Sequence, residues 1–177
     1  MSGSSDLSVG LRLHVHEDAQ QLAVLLNDPD VTEMTSTIPY PYALSDAEAF
    51  LSAACYDDRN TIRRAIDWQG KLVGSIGLGP RPGGVEEIGY WIGKPYWGQG
   101  IASAALAAFL KVLADKNIAG PIHAQTVTSN EASQHILVKN GFVYVGDGEC
   151  ITPARQTQKK PSKRYVLETL IADEAAQ

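Results

Sequence analysis

Two glycines ahead of a helix-forming segment are the residues of this chain best suited to binding an anion. They lie in Trp97-Gly98-Gln99-Gly100-Ile101-Ala102-Ser103, between the strand-like run Ile88 to Ile92 and a segment from Ile101 to Lys116 without Gly or Pro. The first N–H groups of a helix have no intrahelical partner, and the helix dipole favours negative charge beside them. Gly98 and Gly100 carry no Cβ, so a ligand can approach their backbone closely. The loop has no Gly-Lys-Ser/Thr sequence for a triphosphate, which leaves a backbone cradle suited to a diphosphate.

A second glycine run has similar spacing but a different sequence context. Gly74-Ser-Ile-Gly77-Leu-Gly79 is followed by Pro80-Arg81-Pro82-Gly83-Gly84, which cannot begin a helix. We therefore interpret it as a glycine-containing strand that runs into a hairpin turn.

The composition predicts one globular domain. The chain has 177 residues with 44% hydrophobic and 20% charged residues, enough for a hydrophobic core. Its net charge of −5 argues against nucleic acid as the main partner and is compatible with a cationic one. Cys55 and Cys150 are too few for a disulfide framework and lack metal-ligand spacing. Without an apolar run of membrane length or a signal-peptide core, the sequence predicts a cytoplasmic protein.

The elements that must position the cradle follow the order β-α-α-β-β-β-α-β-α-β-β. Strands are predicted at residues 9–15, 63–68, 71–78, 86–92, 122–127, 142–145 and 164–170, and helices at residues 16–26, 45–57, 101–116 and 130–140. Ser45 and Glu48 fit a capping box, and Gly141 fits a left-handed helix end. The segments 32–42 and 152–163 are predicted loops. Residues 1–7 are a predicted disordered lead-in, 8–171 a single domain and 172–177 a tail.

Four segments in this order resemble the GNAT superfamily of acyl-CoA-dependent N-acetyltransferases, and within it the ribosomal-protein-alanine N-acetyltransferase branch. They are Glu87-Ile88-Gly89-Tyr90-Trp91-Ile92, Tyr96-Trp97-Gly98-Gln99-Gly100-Ile101-Ala102, Asn130-Glu131-Ala132-Ser133 and Lys139-Asn140-Gly141-Phe142. The superfamily has Gln or Arg at the first cradle position; Trp97 departs from that and is similar to this branch, where Tyr-Trp-Gly is common. The resemblance spans residues 8–171. It implies an α/β (α+β) fold, the GNAT-like acyl-CoA N-acyltransferase fold, with a central mixed, mostly antiparallel sheet flanked by helices.

The resemblance also implies acetyl-CoA as the co-substrate and no metal. The diphosphate would lie on the cradle amides, and the pantetheine arm beside the strand that ends at Trp91 and Ile92. Two neighbouring strands that diverge in mid-sheet leave backbone groups unpaired, and an amide-bearing arm would satisfy them. The implied coenzyme-binding residues are Trp91, Ile92, Trp97, Gly98, Gln99, Gly100, Ile101, Ala102, Ser103 and Asn130. A backbone N–H near Trp91 and Ile92 would stabilise the oxyanion of acetyl transfer.

Acetylation of an amine needs a base for the amine proton. Strand alternation sends Glu86 and Glu87 to opposite faces of the sheet, so one of them at most enters the cleft. The resemblance favours Glu87, and the alternative is that both are exposed carboxylates at a hairpin end. His123 on the neighbouring strand competes as base because its intrinsic pKa suits the task.

Acetyl transfer also requires a proton for the leaving thiolate. Many family members use a tyrosine on the helix after the fifth strand, but residues 130–140 contain none. Ser133 is the matching residue of this branch, and the resemblance implies that it reaches the coenzyme sulfur by a hydrogen bond, while Tyr144 is a weak substitute. The alternative is that the thiolate leaves without a dedicated acid. Asn130 has two compatible interpretations, as a helix N-cap and as a pantetheine ligand.

Several remaining residues have both a binding and a packing interpretation. The equivalent of Tyr40-Pro41-Tyr42 lines the acceptor pocket in relatives, so Tyr40 and Tyr42 are predicted to bind substrate, with ordinary loop packing as the alternative. Trp97 either packs on the coenzyme or braces its loop. A basic run either is a solvated loop or holds the 3′-phosphate of the coenzyme; its members are Arg155, Lys159, Lys160, Lys163 and Arg164.

Together these observations predict an N-acetyltransferase that moves the acetyl group of acetyl-CoA directly to a primary amine in a ternary complex. The acceptor is a protein N-terminal α-amine or a small amine, and no nucleic acid or membrane partner is expected. A homodimer is one alternative for the oligomeric state. The alternative function is a non-catalytic acyl-CoA-binding or regulatory module on the same fold. A Rossmann-type dinucleotide enzyme is disfavoured because two helices and a hairpin precede the cradle, whereas that fingerprint belongs in a first βαβ unit.

Overall fold

A seven-stranded mixed sheet organises the molecule. The computed structural model describes residues 8–58, 61–153, 156 and 158–170. The strands are β1 Val9–Arg12, β2 Ile62–Trp68, β3 Lys71–Arg81, β4 Val85–Ile92, β5 Ile122–Val127, β6 Val143–Thr152 and β7 Gln158–Leu167. The helices are α1 Ala19–Leu26, α2 Pro29–Thr32, α3 Leu44–Ala54, α4 Ile101–Asp115 and α5 Glu131–Lys139, with 3-10 turns at His16–Asp18 and Lys94–Tyr96.

The strand order is β1-β2-β3-β4-β5-β7-β6. Every neighbouring pair is antiparallel except β4 and β5, which run parallel. This confirms the predicted mixed, mostly antiparallel sheet. The glycine run Gly74 to Gly79 lies within β3, as expected, and a Cβ at Gly74 would collide with the Trp91 carbonyl oxygen.

Two hydrophobic clusters cover the two faces of this sheet. One packs Leu106, Phe109 and Leu113 of α4 against strand residues that include Ile88. The other packs α1 and α3 against Ala65 and Leu72. Neighbouring residues of a strand point to opposite faces, and accordingly Ala65 lies in the second cluster and Ile66 in the first. The sheet therefore lies between two helical layers.

Two predicted boundaries are wrong in their details. α3 begins at Leu44 rather than after Ser45, because the Asp46 carboxylate accepts a hydrogen bond from the Ala43 N–H at 2.8 Å. The predicted first strand ends at Arg12 rather than Val15, and His14 turns into the interior to contact Ser75. Outside the C-terminal hairpin, the other predicted helices and strands lie close to their expected positions, and the short α2 was not predicted.

The C-terminal hairpin differs more strongly from its prediction. The segment 152–163 was expected to be a loop between short strands, but β6 and β7 are ten residues each and pair from Val143↔Val166 to Thr152↔Gln158. Most of β6 is exposed, so its side chains show no apolar alternation that would mark a strand. Of the basic run, Arg155 lies outside the described residues, and the others belong to β7. Over the part of the chain that the structure describes, no helix is both long and apolar enough to cross a membrane.

Candidate active site

The sheet opens between its two parallel strands. β4 and β5 pair only at Glu86↔Ile122, Glu87↔His123 and Ile88↔Ala124. Beyond this point β4 continues for four residues to Ile92 with a partner on its β3 side alone. The opening is the divergence that the sequence predicted.

The register of β3 and β4 determines which backbone groups face the opening. The Gly93 N–H donates to the Val73 carbonyl at 2.8 Å, so these two residues form a hydrogen-bonded pair. Such pairs alternate along an antiparallel ladder, which directs the N–H of Trp91 toward β3 and those of Tyr90 and Ile92 toward the opening. Of the two residues expected near the oxyanion, Ile92 is therefore the one whose N–H faces the opening.

The glycine loop has the backbone conformation that its sequence requires. Gly98 and Gly100 have φ angles of +73° and +76°, in the left-handed region where a Cβ is disfavoured. Gly100 is the N-cap of α4, no side chain caps this helix end, and its first turn contains no acidic residue. The N–H groups of Ile101, Ala102 and Ser103 are thus free of intrahelical and side-chain capping partners, next to the end of β4.

Trp97 ties this loop to the opening. Its indole Nε1 donates to the Ile92 carbonyl oxygen at 2.7 Å, while 44% of the residue remains exposed. Trp97 therefore braces the loop, and part of the residue is still accessible to a ligand.

Glu87 lies on the face of the sheet opposite α4. Arg81 Nε donates to Glu87 Oε1 at 2.8 Å, and the same guanidinium donates to Ser36 Oγ at 3.2 Å. His123 is the register partner of Glu87 on β5, and side chains in parallel register point to one face. The two candidate bases are consequently neighbours on one face of the sheet. Arg81 was missed from the sequence because residues 80–84 were predicted to be a turn, whereas β3 extends to Arg81.

Ser133 has an unexpected partner. Its Oγ lies 2.9 Å from the hydroxyl of Tyr90, which reaches it from β4. Burial raises the pKa of Tyr90 to about 12, an effect that the hydrogen bond to Ser133 partly opposes. Asn130 Oδ1 accepts from the Ser133 N–H at 3.1 Å, which makes Asn130 the N-cap of α5. The tyrosine hydroxyl next to Ser133 thus comes from β4 and not from α5.

The tyrosines predicted in other roles have structural partners. Tyr42 is 7% exposed and packs with α1 and α3, where burial raises its pKa to about 12. This position favours the packing interpretation of Tyr42, whereas Tyr40 is only half-buried. Tyr144 lies on the outer strand β6 and donates to Asp147 Oδ1 at 2.8 Å, which leaves it no part in the opening.

The lysines of the basic run also have partners. Lys159 pairs with Glu149 at 3.3 Å, Lys160 with Glu33 at 3.1 Å, and Lys163 Nζ donates to Gln134 Oε1 at 3.0 Å. Glu33 follows α2, so the Lys160 pair joins the β6–β7 hairpin to the α2 segment. Across the described ranges, no three His, Cys, Asp or Glu residues are grouped as a metal site would require.

The sequence matches the acetyltransferase (GNAT) domain family over residues 8–143. No curated protein sequence matches significantly. Among solved structures, RimL, a ribosomal L7/L12 α-N-protein acetyltransferase in complex with coenzyme A, aligns with a TM-score of 0.78 at 18% identity, covering 93% of this chain and 96% of RimL. The microcin C7 self-immunity acetyltransferase MccE, in complex with acetyl-CoA and AMP, aligns with a TM-score of 0.76 at 17% identity over 93% of both chains. The aminoglycoside acetyltransferase AAC(6′)-Ib in complex with coenzyme A has a TM-score of 0.70 at 19% identity, with 91% of this chain and 95% of that one covered. At these identities the likeness is one of fold.

Proposed function

Because the chain belongs to the GNAT acetyltransferase family, as its motifs predicted, we propose that it transfers the acetyl group of acetyl-CoA directly to a primary amine. Both substrates would be bound together on one domain of residues 8–171. The acceptor is a protein N-terminal α-amine or a small amine. The predicted cytoplasmic location and the homodimer stay predictions.

One structural observation carries the proposal. Among the described residues, the end of β4 has no β5 partner and the N-terminus of α4 has no side-chain cap, and the Trp97 bond to Ile92 holds the loop between them against β4. A pantetheine arm has amides that match the end of β4, and a diphosphate matches the N-terminus of α4. The φ values of Gly98 and Gly100 fit this use, since the exposed turn leaves the backbone open to a ligand.

The residues around the opening support direct transfer. Glu87 or His123 would accept the amine proton, since they are register partners on the same face of the sheet. The Ile92 N–H would donate to the thioester oxygen as negative charge develops there. A C–N bond forms, the C–S bond breaks, and the sulfur that receives the electron pair would lie near Ser133.

The acceptor class is inferred from the net charge of the chain and from the similar solved structures. RimL is named for a protein α-amine and AAC(6′)-Ib for aminoglycosides, so this fold accepts amines of both kinds. The net charge of −5 favours a cationic acceptor by long-range attraction. Its amine would approach on the Glu87 face, beside the loop that contains Ser36 and Tyr40.

Calorimetric titration with acetyl-CoA tests the coenzyme site. The expected affinity of the wild type is micromolar, about −8 kcal/mol, and Gly100→Glu should abolish binding because the carboxylate repels the diphosphate and the side chain strains a φ of +76°. Gly84→Glu is the matched control: its φ is +75°, it adds the same charge, and it lies at the other end of β4. Equal loss in both variants, or no binding by the folded wild type, would refute the site.

Release of free thiol then tests transfer. Alanine- and serine-starting peptides, polyamines and aminoglycosides are compared as acceptors at saturating acetyl-CoA. Turnover with any of them supports the enzyme and identifies the acceptor class. Tight coenzyme binding without turnover on every amine would instead favour the non-catalytic module.

A further inference from the structure

The Tyr90–Ser133 contact bridges the mouth of the β4–β5 opening. Tyr90 lies on β4 just past Ile88, the last residue paired to β5, and Ser133 is the third residue of α5. Tyr90 points to the α4 face, because it alternates with Glu87 and packs against the same cluster as Ile88 and Ile92. The two hydroxyl oxygens, 2.9 Å apart, thus connect the two sides of the opening.

This pair contains a hydroxyl hydrogen that the protein does not use. Each hydroxyl has one hydrogen to donate, and one of the two is consumed by the bond between them. Within the ranges that the structure describes, neither oxygen has another hydrogen-bond partner. The second hydrogen is therefore free for a group that enters the opening.

The chemistry of the two hydroxyls decides which hydrogen is free. A phenol is a stronger acid than an aliphatic alcohol, so it is the better donor and the poorer acceptor. The phenol also stays protonated at neutral pH, because burial raises the pKa of Tyr90 to about 12. This difference in acidity favours Tyr90 as the donor to Ser133 Oγ, which leaves the Ser133 hydrogen for another acceptor.

We propose that Tyr90 is a positioning residue for acetyl transfer: its O–H holds Ser133 Oγ and turns the Ser133 hydrogen toward the departing sulfur. The inference rests on the proposed function. During transfer the amine proton goes to Glu87 or His123, the sulfur keeps the electron pair of the broken C–S bond, and water later protonates the thiolate. Tyr90 and Ser133 keep their protons throughout, and they stabilise the thiolate by a hydrogen bond.

The first test uses coenzyme A itself and needs no acceptor. The pKa of the bound thiol is measured from the ultraviolet absorbance of its thiolate, with the variants Tyr90→Phe, Ser133→Ala and Tyr165→Phe. We expect the wild type to lower the thiol pKa by about one unit from that of free coenzyme A measured in the same buffer. Tyr90→Phe and Ser133→Ala should move it back toward the free value. Tyr165→Phe, which removes a hydroxyl from the same hydrophobic cluster, should keep the wild-type value.

The second test separates positioning from packing. In thiol-release assays Tyr90→Phe should lower kcat about tenfold and Ser133→Ala about 100-fold, each with unchanged KM for acetyl-CoA. The double variant should be no slower than Ser133→Ala, because Tyr90 acts through Ser133. A merely structural Tyr90 would slow both backgrounds by the same factor.

The outcomes distinguish this proposal from the proposed function. An unchanged bound-thiol pKa in Tyr90→Phe, or in Ser133→Ala should the tyrosine variant not fold, overturns the positioning role. A double variant whose kcat falls by the product of the two single-variant factors also overturns the positioning role. If coenzyme A binds but no amine is acetylated, the proposed function fails while the thiol pKa still decides the role of Tyr90. If coenzyme A does not bind, both proposals fall.

Discussion

Glu87 and Tyr90, three residues apart on β4, point to opposite faces of the sheet. Glu87 contacts Arg81 and lies beside His123, whereas Tyr90 reaches Ser133. One strand would thus present a proton acceptor to the amine from one side and a hydroxyl pair to the sulfur from the other. The arrangement follows from strand alternation alone.

Replacing Glu87 tests whether Glu87 or His123 is the base. We expect Glu87→Gln to lower kcat by about 100-fold or more, because the amide cannot accept the amine proton, while coenzyme affinity stays at the wild-type value. Steady-state thiol release together with calorimetry measures both. Glu86→Gln, one residue away on the opposite face, is the control. Should Glu87→Gln keep full activity and His123→Gln lose it, the base is His123.

The sequence predicted Glu87 and Ser133 but could not predict their partners. Alternation along one strand and the position of one short helix are local properties, and both follow from neighbouring residues. Tyr90 and Ser133 are 43 residues apart, and only the packing of α5 on the sheet brings them together. Arg81 was predicted to lie in the turn at residues 80–84, and its place beside Glu87 follows from the observed register, in which Arg81 pairs with Val85.

Elements meet at the cradle loop, where the end of β4 and the start of α4 are held together by Trp97. Its indole occupies the Ile92 carbonyl, one of the strand groups that the opening leaves without a β5 partner. Two glycines in the left-handed region let the chain turn into α4. These features depend on short-range sequence, which explains why the glycine turn into α4 was predicted correctly while the β6–β7 hairpin, with its exposed polar strands, was not.

The Trp97 hydrogen bond predicts a weaker coenzyme site when it is removed. Trp97→Phe keeps a ring but loses the Nε1 donor, so the loop loses its tie to β4, and we expect acetyl-CoA affinity to fall by up to tenfold at unchanged thermal stability. Trp68→Phe is the comparison, because Trp68 contacts Tyr96 of the same segment edge-to-face, at 6.1 Å between ring centroids. Calorimetric titration of both variants measures the difference, and equal affinities would show that the tie is dispensable.

The whole molecule carries a buried titratable group in His14. Its Nε2 lies 2.9 Å from Ser75 Oγ, and the Ser75 hydroxyl donates to the Arg64 carbonyl, so Nε2 carries the imidazole proton. Nδ1 is buried without a hydrogen-bond partner, 3.6 Å from Asp18 Oδ2. Burial lowers the pKa of His14 to about 4, so the folded protein contains a neutral imidazole.

This lowered pKa makes the fold sensitive to acid. Between pH 6.5 and about 4 the unfolded chain binds a proton at His14 that the folded chain does not, so the free energy of unfolding falls as pH decreases through this window. The loss is about 3 kcal/mol across it. Urea unfolding at a series of pH values should show the slope in the wild type and in His16→Gln, an exposed neighbour, and a flatter profile in His14→Gln. An equal slope in all three would assign it elsewhere.

The three-residue ladder between β4 and β5 is also a seam along which the chain can be divided. β1 to β4 come from residues before 93 and β5 to β7 from residues after 121, so each part of the sheet is a continuous stretch of sequence. A break between α4 and β5 would yield two fragments joined across this ladder, the α4–α5 contact and the Lys160–Glu33 pair. A ligand that lies along the seam would contact both fragments and stabilise their complex. Fragment complementation would then report the cellular level of that ligand.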